Sequence, residues 1–207
     1  MENTLALNKE KFMCLLDEYQ VSGEDLKVLT ALGRVLESET DFFTAPASTK
    51  YHAAYPGGLF DHCLGVTQQL IELNDKGVCT WGRPISPFLI GILHDATKFG
   101  AYLQQHRSNL VSGDMESYYI RNLEHTELSR IHGEDSVLKA SVLLLKACPG
   151  FLLSEEECEC IRWHMGAYEG KDSWAGYDAA IRKFPNVLWT HTADMYASKV
   201  MEVPDAL

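Results

Sequence analysis

FLIGILHDATK, residues 88–98, decides how this chain is read: an almost purely apolar run, Phe88 to Leu93, leads directly into His94 and Asp95. Such a run belongs in a core, and an acid at its end needs a partner, because an isolated buried charge is costly. A helix from about Phe88 to Thr97 is expected. Neither this run nor Val142 to Leu145 approaches the roughly 18–20 apolar residues that span a bilayer, so no membrane span is predicted. Adjacent helical residues point about 100° apart, which lets an imidazole and a carboxylate approach one ion from two flanks. Lys98, at i+3 from Asp95 and i+4 from His94, falls on the same face.

Outward from this stretch the pattern is helical. Leu7, Phe12, Leu15, Leu16 and Tyr19 keep helical spacing, and Ser22 with Asp25 opens a second helix through Leu36, so residues 1–40 read as a helical pair. Periodicity fails across DFFTAPASTKYHAAYPGG, residues 41–58, which is a loop rich in polar side chains. Gly58 to Leu73 is the next helix, followed by turns to Pro87. Asn109, Gly113 and Asp114 are turn formers beside the aromatic and β-branched stretch Ser117 to Ile120, so a short β-hairpin or lid is expected between residues 103 and 131. Glu134 to Cys148 is amphipathic and stops at Pro149-Gly150. Ser154 with Glu157 forms a capping box for a helix through about Met165, and helices over 177–183 and 186–201 complete the chain. No parallel-strand pattern, repeat or linker interrupts residues 1–207, so one all-α domain is the expectation.

The 207 residues carry 18 Lys+Arg against 29 Asp+Glu, a net charge of -11, which disfavours a long nucleic acid as partner. A small phosphorylated ligand stays compatible, since a metal centre supplies the positive charge that the composition lacks. The start, MENTLALNKEKF, has no basic patch followed by a long apolar stretch, so a cytoplasmic protein is expected. Its six cysteines lack paired C-x-x-C spacing and read as reduced thiols, including the C-x-C at Cys158 and Cys160.

Four of the eight histidines, His62, His94, His132 and His164, stand about 30 residues or slightly more apart on or beside different predicted helices. A metal site in a helical bundle requires this dispersion, because one helix cannot surround an ion. Asp194, in VLWTHTADMYASKV (187–200), sits among apolar and small residues where an unpaired aspartate would be expensive. Each residue alone has a structural explanation, and the ordered set His62, His94-Asp95, His132, His164, Asp194 is what favours a centre. Mixed imidazole and carboxylate ligands suit iron, manganese, cobalt or zinc rather than magnesium or calcium.

The segments GGLFDHCLGV (57–66), ILHDATK (92–98), IHGEDSV (131–137), IRWHMGAY (161–168) and HTADMYASK (191–199) resemble the HD-domain superfamily, named for its paired His-Asp on an all-α helical bundle. The chain is also similar to a group of bacterial and phage HD hydrolases with a PASTKYH-like loop, here residues 46–52, and the resemblance covers about residues 42–200. It implies that His62, His94, Asp95 and Asp194 hold a first metal, that Asp95 bridges to a second, and that His132 and His164 match the added histidines of the binuclear subgroup. One or two divalent transition-metal ions, of manganese, iron, cobalt, nickel or zinc, are the implied cofactors.

The implied activity is hydrolysis of a phosphomonoester, phosphodiester or nucleotide by a metal-activated water, with a small phosphorylated substrate, a nucleotide by preference. Asp95 and Lys98 are the catalytic candidates, Lys98 by offsetting phosphate charge or orienting Asp95. Lys50 and His52 join Lys98 as substrate-binding candidates, because their loop offers ammonium and imidazole donors just before the His62 helix. Glu134 is a candidate for support or acid/base work, and His191 for a hydrogen bond behind the centre. Two other readings stand beside hydrolysis: a di-iron oxygenase on the same ligand pattern, and a non-catalytic nucleotide-binding module.

Overall fold

The chain opens with α1 (Glu2–Glu18) and α2 (Gly23–Glu39), which bury Phe12, Leu15 and Leu16 of one and Val28, Leu29, Leu32 and Leu36 of the other. Spacings of three and four place each set on one face of its helix. The structure, a computed structural model, describes residues 2–108, 114–125 and 131–202; Asn109 and Gly113 of the expected turn lie outside them. The loop after α2 turns inward. Phe42 and Phe43 stack edge-on with each other, Phe42 does so with Phe60 and Phe99, and the ring centroids lie 5.0–5.7 Å apart.

Among the described residues the architecture is mostly helical with one small hairpin, as the sequence predicts. The remaining helices are α3 (Gly58–Asp75), α4 (Ser86–Leu93), α5 (His132–Ala147), α6 (Glu155–Arg162), α7 (Trp174–Lys183) and α8 (Asn186–Tyr196), the last continued by a π-helical turn at Ala197–Met201. Strands β1 (Tyr102–Ser108) and β2 (Met115–Arg121) pair antiparallel from Tyr102↔Arg121 to Ser108↔Met115, inside the predicted window. The expected capping box is present: Ser154 Oγ accepts from Glu157 N–H, and the Glu157 carboxylate accepts from Ser154 N–H at 2.7 Å. No described helix is long and apolar enough to cross a membrane.

α5 and α7 begin at His132 and Trp174, ahead of the expected Glu134 and Tyr177, and two helices end earlier than expected. The helix expected to run to Thr97 ends at Leu93: Asp95 takes φ -101 and ψ 26, outside the helical region, and a 3-10 turn at Ala96–Lys98 follows. The helix expected to reach Met165 ends at Arg162, with Trp163 at φ -106. In both places the backbone leaves the helix just where a histidine must turn into the interior.

The core is one cluster running from Phe12 to Ala197 through every helix. Two glycines set its closest approaches. A Cβ on Gly91 would lie 2.2 Å from Thr67 Oγ1 and 2.7 Å from Thr67 Cα, and one on Gly133 would lie 1.9 Å from the Arg162 carbonyl oxygen. The first contact joins α4 to α3, and the second joins α5 to the end of α6. Each brings two of the singled-out histidines onto facing elements.

Candidate metal centre

His62 lies early in α3, His94 caps the end of α4, Asp95 follows it, His132 opens α5, His164 lies just past α6, and Asp194 sits in α8. Histidines from four separate elements converge on Asp95. Its Oδ1 lies 2.8 Å from His132 Nε2 and 3.6 Å from His164 Nε2, while its Oδ2 lies 3.4 Å from the Nε2 atoms of both His62 and His94. His62 Nε2 is also 3.2 Å from Asp194 Oδ1 and 3.2 Å from His94 Nε2. The donors therefore form two groups close enough to share an ion: His62, His94 and Asp194, and Asp95, His132 and His164. All but His132 and Asp194 are almost wholly buried.

The outward nitrogen of each ring shows what the inward one offers. His94 Nδ1 donates to the Gly91 carbonyl at 3.0 Å, and His164 Nδ1 to the Ile161 carbonyl at 2.7 Å. A carbonyl only accepts, so Nδ1 carries the proton and Nε2 of the neutral ring presents a lone pair. Burial, countered by Asp95, lowers the pKa of His94 and keeps it neutral. His164 Nε2 is buried without a hydrogen-bond partner and faces a carboxylate oxygen. That contact is unfavourable in a dry interior unless a proton or a metal cation stands between the two atoms. His52 Nε2 and Glu202 Oε2 are likewise buried and unpartnered beside the same cluster. This donor set, four imidazoles with two carboxylates, fits a transition-metal cation.

Charge is arranged around Asp95. Burial opposes its ionisation, but Lys98, His94 and His132 outweigh that and hold its carboxyl well below the usual range. Lys98 Nζ is 2.7 Å from Asp95 Oδ2; burial works against its charge, and Asp95 more than restores it, raising its pKa. Burial also opposes ionisation of Asp194, which hydrogen bonding to His62 reverses. Burial works against a proton on His62, yet Asp194, Asp95 and Glu202 together raise its pKa well above the ordinary value. A proton and a cation compete for the same Nε2 lone pair.

A cavity of about 520 Å³ opens beside the cluster, with Asp95, His132 and Asp194 in its wall together with His52, Lys98 and His191. His52 is pushed down to about 4 by burial and by the neighbouring Lys98 and His62. Lys50 is exposed, places Nζ over the Tyr51 ring, and is not among the residues lining this cavity. Glu134 pairs with Arg162 at 3.0 Å, and His191 Nδ1 donates to the His164 carbonyl at 2.7 Å. Cys158 and Cys160 are free thiols on α6.

Two participants carried no signal in the sequence reading. Thr97 Oγ1 lies 2.6 Å from His132 Nδ1, and Glu202 Oε1 lies 2.7 Å from His62 Nδ1. Thr97 stands inside the deciding stretch, but its partner is 35 residues away.

No family model matches the chain, and no solved structure matches it. The dihydroneopterin 2',3'-cyclic phosphate phosphodiesterase of Methanocaldococcus jannaschii is 30% identical to it over 88 residues, which are 41% of this chain and 33% of the relative. The chain is thus similar, over about a third of that protein's length, to a phosphodiesterase.

Proposed function

We propose that this chain is an HD-type metal-dependent phosphohydrolase that cleaves a phosphomonoester, a phosphodiester or a nucleotide. The observation that carries the reading is the two-sided environment of Asp95, whose Oδ1 faces His132 and His164 and whose Oδ2 faces His62 and His94. The similarity to a protein named as a cyclic-phosphate phosphodiesterase supports the same class of reaction.

In this reading His62, His94 and Asp194 hold one divalent ion, His132 and His164 hold a second, and Asp95 serves both. Bound there, one or two ions of manganese, iron, cobalt, nickel or zinc supply charge to neutralise the phosphate and lower the pKa of a coordinated water toward neutrality. Lys98 holds Asp95 ionised and adds positive charge at the cavity wall. His52, neutral near pH 7, exchanges a hydrogen bond with substrate without changing charge. At about 520 Å³ the cavity lies within the roughly 300–1,000 Å³ range of small-molecule sites. Arg121 and Lys199 add cations and Tyr102 and Tyr168 add aromatic surface, a lining suited to a nucleotide.

The test is elemental analysis of protein purified without chelator, with phosphate release measured on phosphomonoesters, phosphodiesters and nucleotides. Wild type is expected to carry one to two transition-metal ions per chain. Asp95→Ala is expected to lose metal and more than about 100-fold in turnover, beyond the loss caused by removing an outer partner of a ligand, while keeping its far-ultraviolet helical signal. Turnover unchanged in Asp95→Ala would reject the centre. Oxygen uptake by iron-loaded protein without phosphate release would instead establish the oxygenase, and metal binding without turnover the binding module.

A further inference from the structure

The four imidazoles of the centre are aimed by different means. His94 and His164 lie at or past the ends of α4 and α6, where the carbonyls of Gly91 and Ile161 are available to accept their Nδ1 protons. His132 Nδ1 meets the Thr97 hydroxyl. His62 has no such recourse: it is the fifth residue of α3, where the preceding carbonyls are taken up by the helix itself. Its Nδ1 meets a carboxylate, Glu202 Oε1 at 2.7 Å, from 140 residues away.

Glu202 follows the π-helical turn Ala197–Met201, eight residues after Asp194. At 100° per residue it would sit about 80° round the axis from Asp194, and the wider π turn, which advances fewer degrees per residue, narrows that gap. Both Asp194 and Glu202 thereby reach the same ring, one on each nitrogen. The Glu202 side chain is only 11% exposed, and its Oε2 is buried without a hydrogen-bond partner. Its other oxygen, Oε1, is the one that meets the His62 ring, which ties this carboxylate to the centre.

We propose that Glu202 is a positioning residue of the centre: it fixes His62 with the proton on Nδ1, so that Nε2 faces the ion, and its charge makes that nitrogen a stronger donor. This rests on the metal-centre reading above and extends the centre to the turn that ends the described chain.

The test is calorimetric titration of metal-free protein with Mn²⁺, alongside the thermal midpoint of each metal-free variant. Glu202→Ala is expected to weaken the Mn²⁺ Kd about 10- to 100-fold. The titration is made at a temperature where the melting curve shows the metal-free variant fully folded, so that lost affinity reports the ring and not the fold; a merely structural role would lower the midpoint and leave Mn²⁺ affinity at the wild-type value. Glu202→Gln, whose amide oxygen still accepts from Nδ1, should fall between wild type and Glu202→Ala. Mn²⁺ binding equal to wild type in folded Glu202→Ala overturns the assignment, and so does a Glu202→Gln Kd no tighter than that of Glu202→Ala. Should Glu202→Ala fail to fold, Glu202→Gln decides, and a Kd equal to wild type's overturns it. Wild type that takes up none of Mn²⁺, Fe²⁺, Co²⁺, Ni²⁺ and Zn²⁺ overturns the centre and this role with it, whereas binding by wild type and an unaffected variant overturns this role alone.

Discussion

At the scale of single residues, the chemistry depends on which groups are desolvated and what faces them. Asp95 and Asp41 are both shielded carboxylates and behave oppositely. Asp95 has Lys98 at 2.7 Å and histidines on both oxygens, and is held ionised. Burial raises the pKa of Asp41, with only partial relief from the Gly100 N–H donated to its Oδ1 at 2.8 Å. A folded pKa above the unfolded one means that the folded state binds more protons between the two, so this group's contribution is present below about pH 4 and is lost as pH rises through the folded value. Asp41→Asn keeps an acceptor for Gly100 and removes the charge. Its thermal midpoint relative to wild type should therefore be higher near neutral pH than in acid, and a difference that is flat across that range, or larger in acid, would refute the assignment. His62, His94, Asp95, His132, His164 and Asp194, which the structure brings together, were marked in the sequence, the histidines by their dispersion over different helices and the two acids by their apolar surroundings. Glu202 was not legible: an acid at the end of a helix reads as a solvated charge, and the ring it meets lies 140 residues earlier in the chain.

At the scale of elements, the centre depends on how closely the helices approach. α3 and α4 meet where Gly91 lies against the backbone of Thr67, and this contact sets His62 and His94 within 3.2 Å of each other. Gly91→Ala places a methyl 2.7 Å from Thr67 Cα, a clash that side-chain rotation cannot relieve. A cost of about 1–3 kcal/mol is expected from overpacking, with weaker metal binding as the helices part. Denaturant unfolding of the metal-free protein measures the first and titration the second; an Ala variant as stable as wild type would show that the contact is looser than the geometry states. Helix identities and the hairpin were legible because periodicity and turn residues are local. The ends of α4 and α6 were not, because the backbone leaves the helix there to turn His94, Asp95 and His164 inward, a demand that arises only from the assembled centre.

At the scale of the whole molecule, one core joins the N-terminal helical pair to the helices of the centre, from Phe12 to Ala197. We read the described chain as one folding unit. Far-ultraviolet dichroism and the fluorescence of the buried Trp81 and Trp163 should lose signal in one coincident transition, whereas two separated transitions would divide the helical pair from the rest. The sequence by itself determined the helical class, the hairpin window and the absence of long apolar spans among the described helices, and it marked six residues that the fold brings together. These follow from residue type and short-range spacing, which are properties of a one-dimensional string. Only the tertiary structure decided that both oxygens of Asp95 face histidines, that Lys98 binds Asp95, that His52 lines the cavity and Lys50 does not, and that Glu202 stands 2.7 Å from a ring 140 residues before it. Those are relations between side chains on different helices, fixed by packing and by close approaches such as the one at Gly91, and nothing in the local sequence of either partner encodes the distance between them.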